Sequence, residues 1–192
     1  MKLLLIIVIS IIIGYKLYSF VQLLVKIKGK AIIPATEEEM QFIRKHPERV
    51  MKAPTFSSQK TGVFFYSLFL LFMISLFLIS IFAADLDWSF YLFFLLPFTY
   101  TNDVLNIFAV VEDGVLSGNR FISWRQINYF YMEKIDVNHK FYGYSKEANE
   151  GYELKMKLKF LTVSCCVITS DNMKEKLIQH LGKHRSFKME VA

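Results

Sequence analysis

Long apolar runs fill the first half of the chain, and period-two alternation takes over in the second. Leu3–Val25 is apolar apart from Lys16 and a few uncharged polar residues, Gln22 among them, and Thr61–Ala84 carries no formal charge at all. At ~1.5 Å of rise per residue, either run as a helix exceeds a hydrocarbon core of about 30 Å. Asp85 and Asp87 follow directly, and a second uncharged stretch runs from Trp88 to Asn102 before Asp103. That stretch spans only about 22 Å as a helix, so it spans with Asp103 near an interface, continues to about Asn106, or is partly re-entrant. The pattern predicts three transmembrane segments, at 1–25, 61–84 and 88–106, the last two forming a hairpin with an acidic tip.

Lys16 costs on the order of 3 kcal/mol at mid-membrane, less if its stem snorkels toward the Val25 end. Tyr15-Lys16-Leu17-Tyr18 follows Gly14 where a signal peptide would present small residues, so the first segment is expected to be an uncleaved anchor. Between the first two segments, residues 26–60 hold Lys26, Lys28, Lys30, Arg44, Lys45, Arg49, Lys52 and Lys60, while the Asp85–Asp87 tip holds no basic residue. The positive-inside rule places 26–60 in the cytosol and the tip outside. With three spans the N-terminus is then outside and the C-terminal domain cytosolic, in a cell (inner or plasma) membrane. Thr36 followed by Glu39 reads as a capping box opening a short helix over about 36–45.

From residue 104 onward the chain reads as short strands and turns. Val104–Val111 is apolar but too short to span, and Glu112-Asp113-Gly114 and Ser117-Gly118-Asn119 are turn signals. Arg120–Trp124, Gln126–Glu133 and Thr162–Thr169 are rich in β-branched and aromatic residues. Glu153–Phe160 alternates, with Leu154, Met156, Leu158 and Phe160 facing in and Glu153, Lys155, Lys157 and Lys159 on a solvated face. Asp171 starts a helix whose stripe is Met173, Leu177, Ile178 and Leu181, and Gly182 stops it. A β-rich domain over 104–184 follows, with about six antiparallel strands closed by one helix and a basic tail at 185–192.

The hairpin, Val111-Glu112-Asp113-Gly114-Val115, and Phe121-Ile122-Ser123-Trp124-Arg125-Gln126-Ile127 together resemble the uncharacterised bacterial membrane-tethered PH-like domain proteins. The resemblance covers about residues 61–184 and implies a membrane α plus β fold: a PH-like antiparallel β barrel or sandwich closed by one α-helix. It implies no catalytic residues.

Composition adds little that the pattern lacks. Hydrophobic residues are 54% of the chain, mean hydropathy is +0.33, and the net charge of +6 gives a pI near 9.2. The basic excess is read as the footprint of a face beside anionic lipid, not as a nucleic-acid surface. Cys165 and Cys166 are adjacent, which suits reduced thiols, one in the core and one at its rim. His180 and His184 stand at i, i+4 without a third ligand, so neither a metal nor another cofactor is expected. No nucleophile, base and oxyanion donor fall into a recognisable constellation, and no enzyme is expected. Trp124, Lys155, Lys157 and Lys159 form a candidate contact surface, and Lys16, Asp103 and Asn106 are candidate intramembrane polar groups.

The expected function is a non-catalytic one. The bilayer and a protein partner or a second copy of the chain are the partners, and a cytosolic domain makes binding or regulatory contacts. The alternative is a small transport or peptide-immunity protein that acts through its helices, with a Lys16–Asp103 pair. The topology is testable by reporter fusions, which should place Ala192 inside the cell and Asp87 outside; the reverse pattern overturns the cytosolic assignment.

Overall fold

A computed structural model describes residues 2–82, 97, 101–159 and 162–189. The chain opens with α1 (Lys2–Lys26), then α2 (Glu37–Gln41) and β1 (Ile43–Arg44), followed by α3 (Phe56–Phe82). Among the described residues two helices, not three, are long and apolar enough to cross a membrane: α1 and α3. Most of the expected third segment, 88–106, and the Asp85–Asp87 tip lie outside the described residues. The C-terminal end of that segment does not continue a helix: Thr101–Asp103 is a single 3-10 turn, and the chain is a strand by Phe108.

α3 starts five positions before the apolar run does, because Thr55 caps it: Ser58 N–H donates to the Thr55 hydroxyl at 3.4 Å. The two helices meet along Ile9, Ile13, Phe20 and Leu23 of α1 and Val63, Tyr66, Leu70, Met73 and Phe77 of α3. Phe20 packs edge-on to Tyr66 with ring centroids 4.8 Å apart.

The same cluster takes in one face of a three-stranded antiparallel sheet, β2 (Phe108–Val111), β3 (Gly114–Ser117) and β4 (Arg120–Ser123). Ala109, Leu116 and Phe121 are cross-strand neighbours on the helix side, and Val110, Val115 and Ile122 are neighbours on the other. Burial on both faces explains why the sequence here is a continuous apolar run without alternation. The β2–β3 turn needs its glycine, since a Cβ on Gly114 would lie 2.1 Å from the Ile122 carbonyl oxygen.

A five-stranded sheet covers the far face in the order β1-β7-β6-β5-β8. Its strands are β5 (Ile127–Lys134), β6 (Tyr152–Leu158), β7 (Thr162–Ile168) and β8 (Ser186–Met189), together with β1. Between β5 and β6 lies α4 (Lys146–Asn149), and between β7 and β8 lies α5 (Asp171–Gly182). Met173, Leu177 and Leu181 of α5 join Phe130, Met132, Leu154 and Met156 in the second core. The layers therefore run helix pair, small sheet, large sheet, with α5 completing the second core.

Several expectations are corrected. The sheets stay separate and no barrel closes. The pairing is not wholly antiparallel, because β8 runs parallel to β5 with Phe130 opposite Phe187. The expected tail from 185 is thus partly an edge strand. The loop 26–60 belongs to the fold: Ile33 bridges Val110, and β1 pairs with β7. Thr36 caps the helix as expected, accepting from Glu39 N–H, but the Glu39 carboxylate reaches back to Ala35 N–H, one residue before the cap, so the reciprocal half of a capping box is shifted. Its helix ends at Gln41, however, because residues 43–44 extend into β1.

Candidate functional site

Three clusters of polar side chains stand out from this apolar frame. The first centres on Lys45, which follows β1 and is almost fully buried. Its Nζ donates to the Ser117 hydroxyl at 3.1 Å, the Ser164 carbonyl at 3.3 Å and the Cys165 carbonyl at 3.1 Å. It also pairs with an Asp103 carboxylate oxygen at 2.8 Å. The consecutive carbonyls are offered by a bulge in β7, where the register steps from Leu154↔Cys166 to Lys155↔Ser164 and leaves Cys165 without a partner residue. One ammonium thus links β3 of the small sheet, β7 of the large sheet and the turn leading out of residues 83–100.

The second cluster lies on the outer face of the large sheet. The alternation of β6 predicts that Glu153 and Lys155 are solvated, yet Glu153 is fully buried. The excursion 135–151 folds over that end of the strand, packing Ile135, Ala148 and Phe141 on Val167. Glu153 meets His139 Nε2 at 2.9 Å, Lys140 Nζ at 2.8 Å and Lys155 Nζ at 3.2 Å, and Lys155 also pairs with Glu133. Burial pushes the Glu153 carboxyl up, but the bonds from Lys140 and Ser164 and the two lysine charges outweigh it and hold the group below its usual range. Burial likewise disfavours charge on Lys155, and its Glu133 and Glu153 partners reverse this, leaving the ammonium above its usual value.

Glu133, His139 and Glu153 bring their ligand atoms within 4.8 Å of one another, close enough to hold a divalent cation. The donor set does not favour one. Lys155 already stands between the two carboxylates and Lys140 on the remaining oxygen of Glu153, so a metal would have to displace two ammonium groups. The cluster is an internal charge network.

The third cluster is a clasp around Trp124. Its indole N–H donates to the Glu112 carbonyl at 2.7 Å, and its backbone N–H to the Asp113 carbonyl at 3.2 Å. His184 stacks flat on the ring at 4.3 Å, and Arg185 Nε donates to the Trp124 carbonyl at 2.8 Å. Trp124 therefore ties the β2–β3 turn to the end of α5.

The expected site residues are dispersed among these features. Asp103 pairs with Lys45; Lys16 is on α1, within electrostatic reach of Asp103 and Arg120. Asn106 is tied to the loop after β1 and to α3: its Nδ2 donates to the Val50 carbonyl at 2.9 Å, and its own carbonyl accepts from Gln59 at 3.0 Å. Lys155 is occupied by carboxylates, Lys157 is half-buried beside Tyr129, and Lys159 is exposed. Both thiols, not one, are buried, because the bulge brings Cys165 and Cys166 into the same core. Burial pushes the Cys165 thiol up to about 12 and Cys166 well above its usual value. The ring centroids of His180 and His184 lie 5.5 Å apart, and the face of His184 is taken by Trp124. The sequence gives no warning of Lys45, His139 or Glu153, since each looks like an ordinary surface residue. No family model, curated protein or solved structure matches the chain.

Lys45→Met should cost about 3–5 kcal/mol of unfolding free energy, because it strands buried acceptors. Asp103→Asn should cost only about 1 kcal/mol, since Asp103 is partly exposed and Lys45 keeps three oxygens. Thermal melts of both variants in detergent check this ordering, and equal losses would sink it. The outer network sets the pH dependence. The lowered pKa of Glu153 stabilises the fold above about pH 4.3, and that contribution fades as pH falls through its folded value. The raised pKa of Lys155 stabilises below about pH 10.4 and is lost as pH rises through its folded value. Glu153→Gln should flatten the acid limb of a melting-temperature profile; an unchanged acid limb would show that other carboxylates set it.

Proposed function

We propose that the protein is an integral membrane protein that holds a small β-rich domain close against the cytosolic leaflet as a docking module, without catalysis. The observation that carries this reading is the unequal surface of the two long helices. Ile9 and Leu70 are buried between them, while Leu4, Leu71, Phe72 and Phe82 are 64%, 62%, 57% and 84% exposed. Two adjacent helices with outward aliphatic and aromatic faces form an apolar patch far larger than a soluble monomer tolerates. Lipid is the solvent that suits it.

Support for a docking role comes from how the domain is mounted. α1 lies along β4, Lys26 pairs with Asp113 and sits 5.5 Å over the Phe121 ring, and Gly62 of α3 lies against Leu105. Among the described residues, these contacts hold both helices directly against the small sheet and the segment that leads into it. The clusters that resemble catalytic groups are satisfied internally: the thiols are sealed, His139 is held by Glu153, and Glu153 by Lys140 and Lys155. The PH-like likeness fits the same role, as does the orientation read from the basic loop. The helix-centred alternative rests on a Lys16–Asp103 pair, and Asp103 also serves Lys45, a contact that the docking reading accounts for.

Two measurements test the reading. The full chain should stay with membranes through an alkaline carbonate wash and leave only with detergent; release by carbonate overturns the integral assignment. A photo-crosslinker at Lys157, on the sheet face away from the helices, should give one discrete adduct in cells, identified by mass spectrometry and absent when placed at Lys174. Identical adducts at both positions would remove the docking role.

A further inference from the structure

The turn after β1 and the excursion 135–151 flank a cleft that none of the three polar clusters occupies. It has a volume of about 380 Å³ and is lined by His46, Pro47, Glu48, Arg49, Phe141 and Tyr144. That volume suits a small molecule. Both walls are held in place. Arg49 N–H donates to the His46 carbonyl at 3.0 Å and closes the turn. Phe141 and Tyr144 meet edge to face with ring centroids 6.3 Å apart. Arg44 ties one wall to the other, donating to the Pro47 carbonyl at 3.2 Å and to the Ser145 hydroxyl at 3.5 Å.

The charges in this cleft differ from those of the internal networks. Arg44, Lys45, Asp103, Glu133, Glu153 and Lys155 are all paired. Glu48 and Arg49 both line the cleft, and neither side chain makes a hydrogen bond or an ion pair among the described residues. A purely anionic ligand would be opposed by Glu48, and a purely cationic one by Arg49. A ligand carrying both charges satisfies both. Its carboxylate would accept from the Arg49 guanidinium fork, and its ammonium would donate to the Glu48 carboxylate. The remaining walls, Pro47, Phe141 and Tyr144, call for an apolar or aromatic body beside those charges. An α-amino acid carries its ammonium and carboxylate on one carbon, which matches opposite charges on adjacent residues of one turn.

We infer that the cleft binds a free α-amino acid with a large apolar side chain, its carboxylate on Arg49, its ammonium on Glu48 and its side chain against Phe141 and Tyr144. The site goes beyond the docking reading and does not rest on it, since every lining residue belongs to the turn after β1 or to the excursion. Occupancy would bridge those two segments and steady the excursion that covers Glu153.

Saturation-transfer NMR titrations of the full chain in detergent test the site with four probes. L-phenylalanine carries every expected feature; N-acetyl-L-phenylalanine lacks the ammonium, L-phenylalaninamide lacks the carboxylate, and glycine lacks the apolar body. L-phenylalanine should bind with a Kd on the order of 1 mM, as befits so few atoms. The acetyl and amide probes should each bind about tenfold more weakly, the factor of one lost charge-assisted hydrogen bond. Glycine should not compete. Arg49→Gln should abolish the preference over the amide and keep that over the acetyl compound, and Glu48→Gln should do the opposite. Both positions are exposed, so the fold should survive the changes. Glu175→Gln, on α5 and outside the cleft, should bind like wild type. No saturable binding of L-phenylalanine by ~10 mM, ten times the expected constant, overturns the site. So do equal binding of all four probes and variants that keep both preferences. Tight binding of the acetyl compound but not the amide would assign the cleft to a lone carboxylate and overturn the amino acid as occupant. Loss of this site would leave the membrane and docking reading standing, and release by carbonate would leave these titrations unaffected.

Discussion

A buried ammonium ion must be satisfied on every side or it destabilises the protein that contains it. Lys45 meets that demand with oxygens from three separate parts of the chain, and the architecture follows from where those oxygens lie. The bulge in β7 turns two carbonyls toward it, Ser117 brings the middle strand of the small sheet, and Asp103 brings the turn that follows residues 83–100. Apolar faces would pack the two sheets in several registers at similar cost. The charge restricts them to the one arrangement in which all four oxygens reach a single nitrogen. Lys45 thus supplies specificity where the hydrophobic layers supply most of the stabilisation.

The same constraint orders the layers. The small sheet has to be apolar on both faces, because one face meets the helix pair and the other meets the large sheet. It consequently has no surface on which to place polar side chains, except at its turns. The turn residues carry the polar work: Asp113 holds Lys26, the Glu112 carbonyl holds Trp124, and Asn119 gathers Leu105, Thr101 and Tyr66. Gly114 is fixed by the approach of Ile122, and its neighbours carry the contacts to α1 and Trp124.

Features governed by local chemistry were legible in the sequence. The two long apolar runs, the Thr36–Glu39 cap, the Glu112-Asp113-Gly114 turn and the stripe of α5 each follow from spacing within a few residues. What escaped was set by distant packing. β1 is two residues long, too short to show a period, and it exists only because β7 offers an edge. Lys45 sits in a basic loop whose other lysines are mostly exposed, so nothing in its neighbours marks it as buried. Glu153 keeps perfect alternation and is still enclosed, because the covering excursion 135–151 is specified elsewhere. At Cys165 a bulge shifts the phase, and a bulge leaves no mark on a sequence of small and β-branched residues. Trp124 was legible as an important position, but its partners, in the Glu112-Asp113 turn and after α5, lie twelve and about sixty residues away.

A domain joined to its helices in this way has the mounting that the docking role proposed above requires. Gly62 of α3 packs against the Leu105 side chain, and the Lys26–Asp113 pair joins the end of α1 to the β2–β3 turn. In the docking reading proposed above, Lys45 is the link that joins the small sheet, packed on the helix pair, to the large sheet that presents the outer face. A partner meeting a face that is already ordered pays less to dock there.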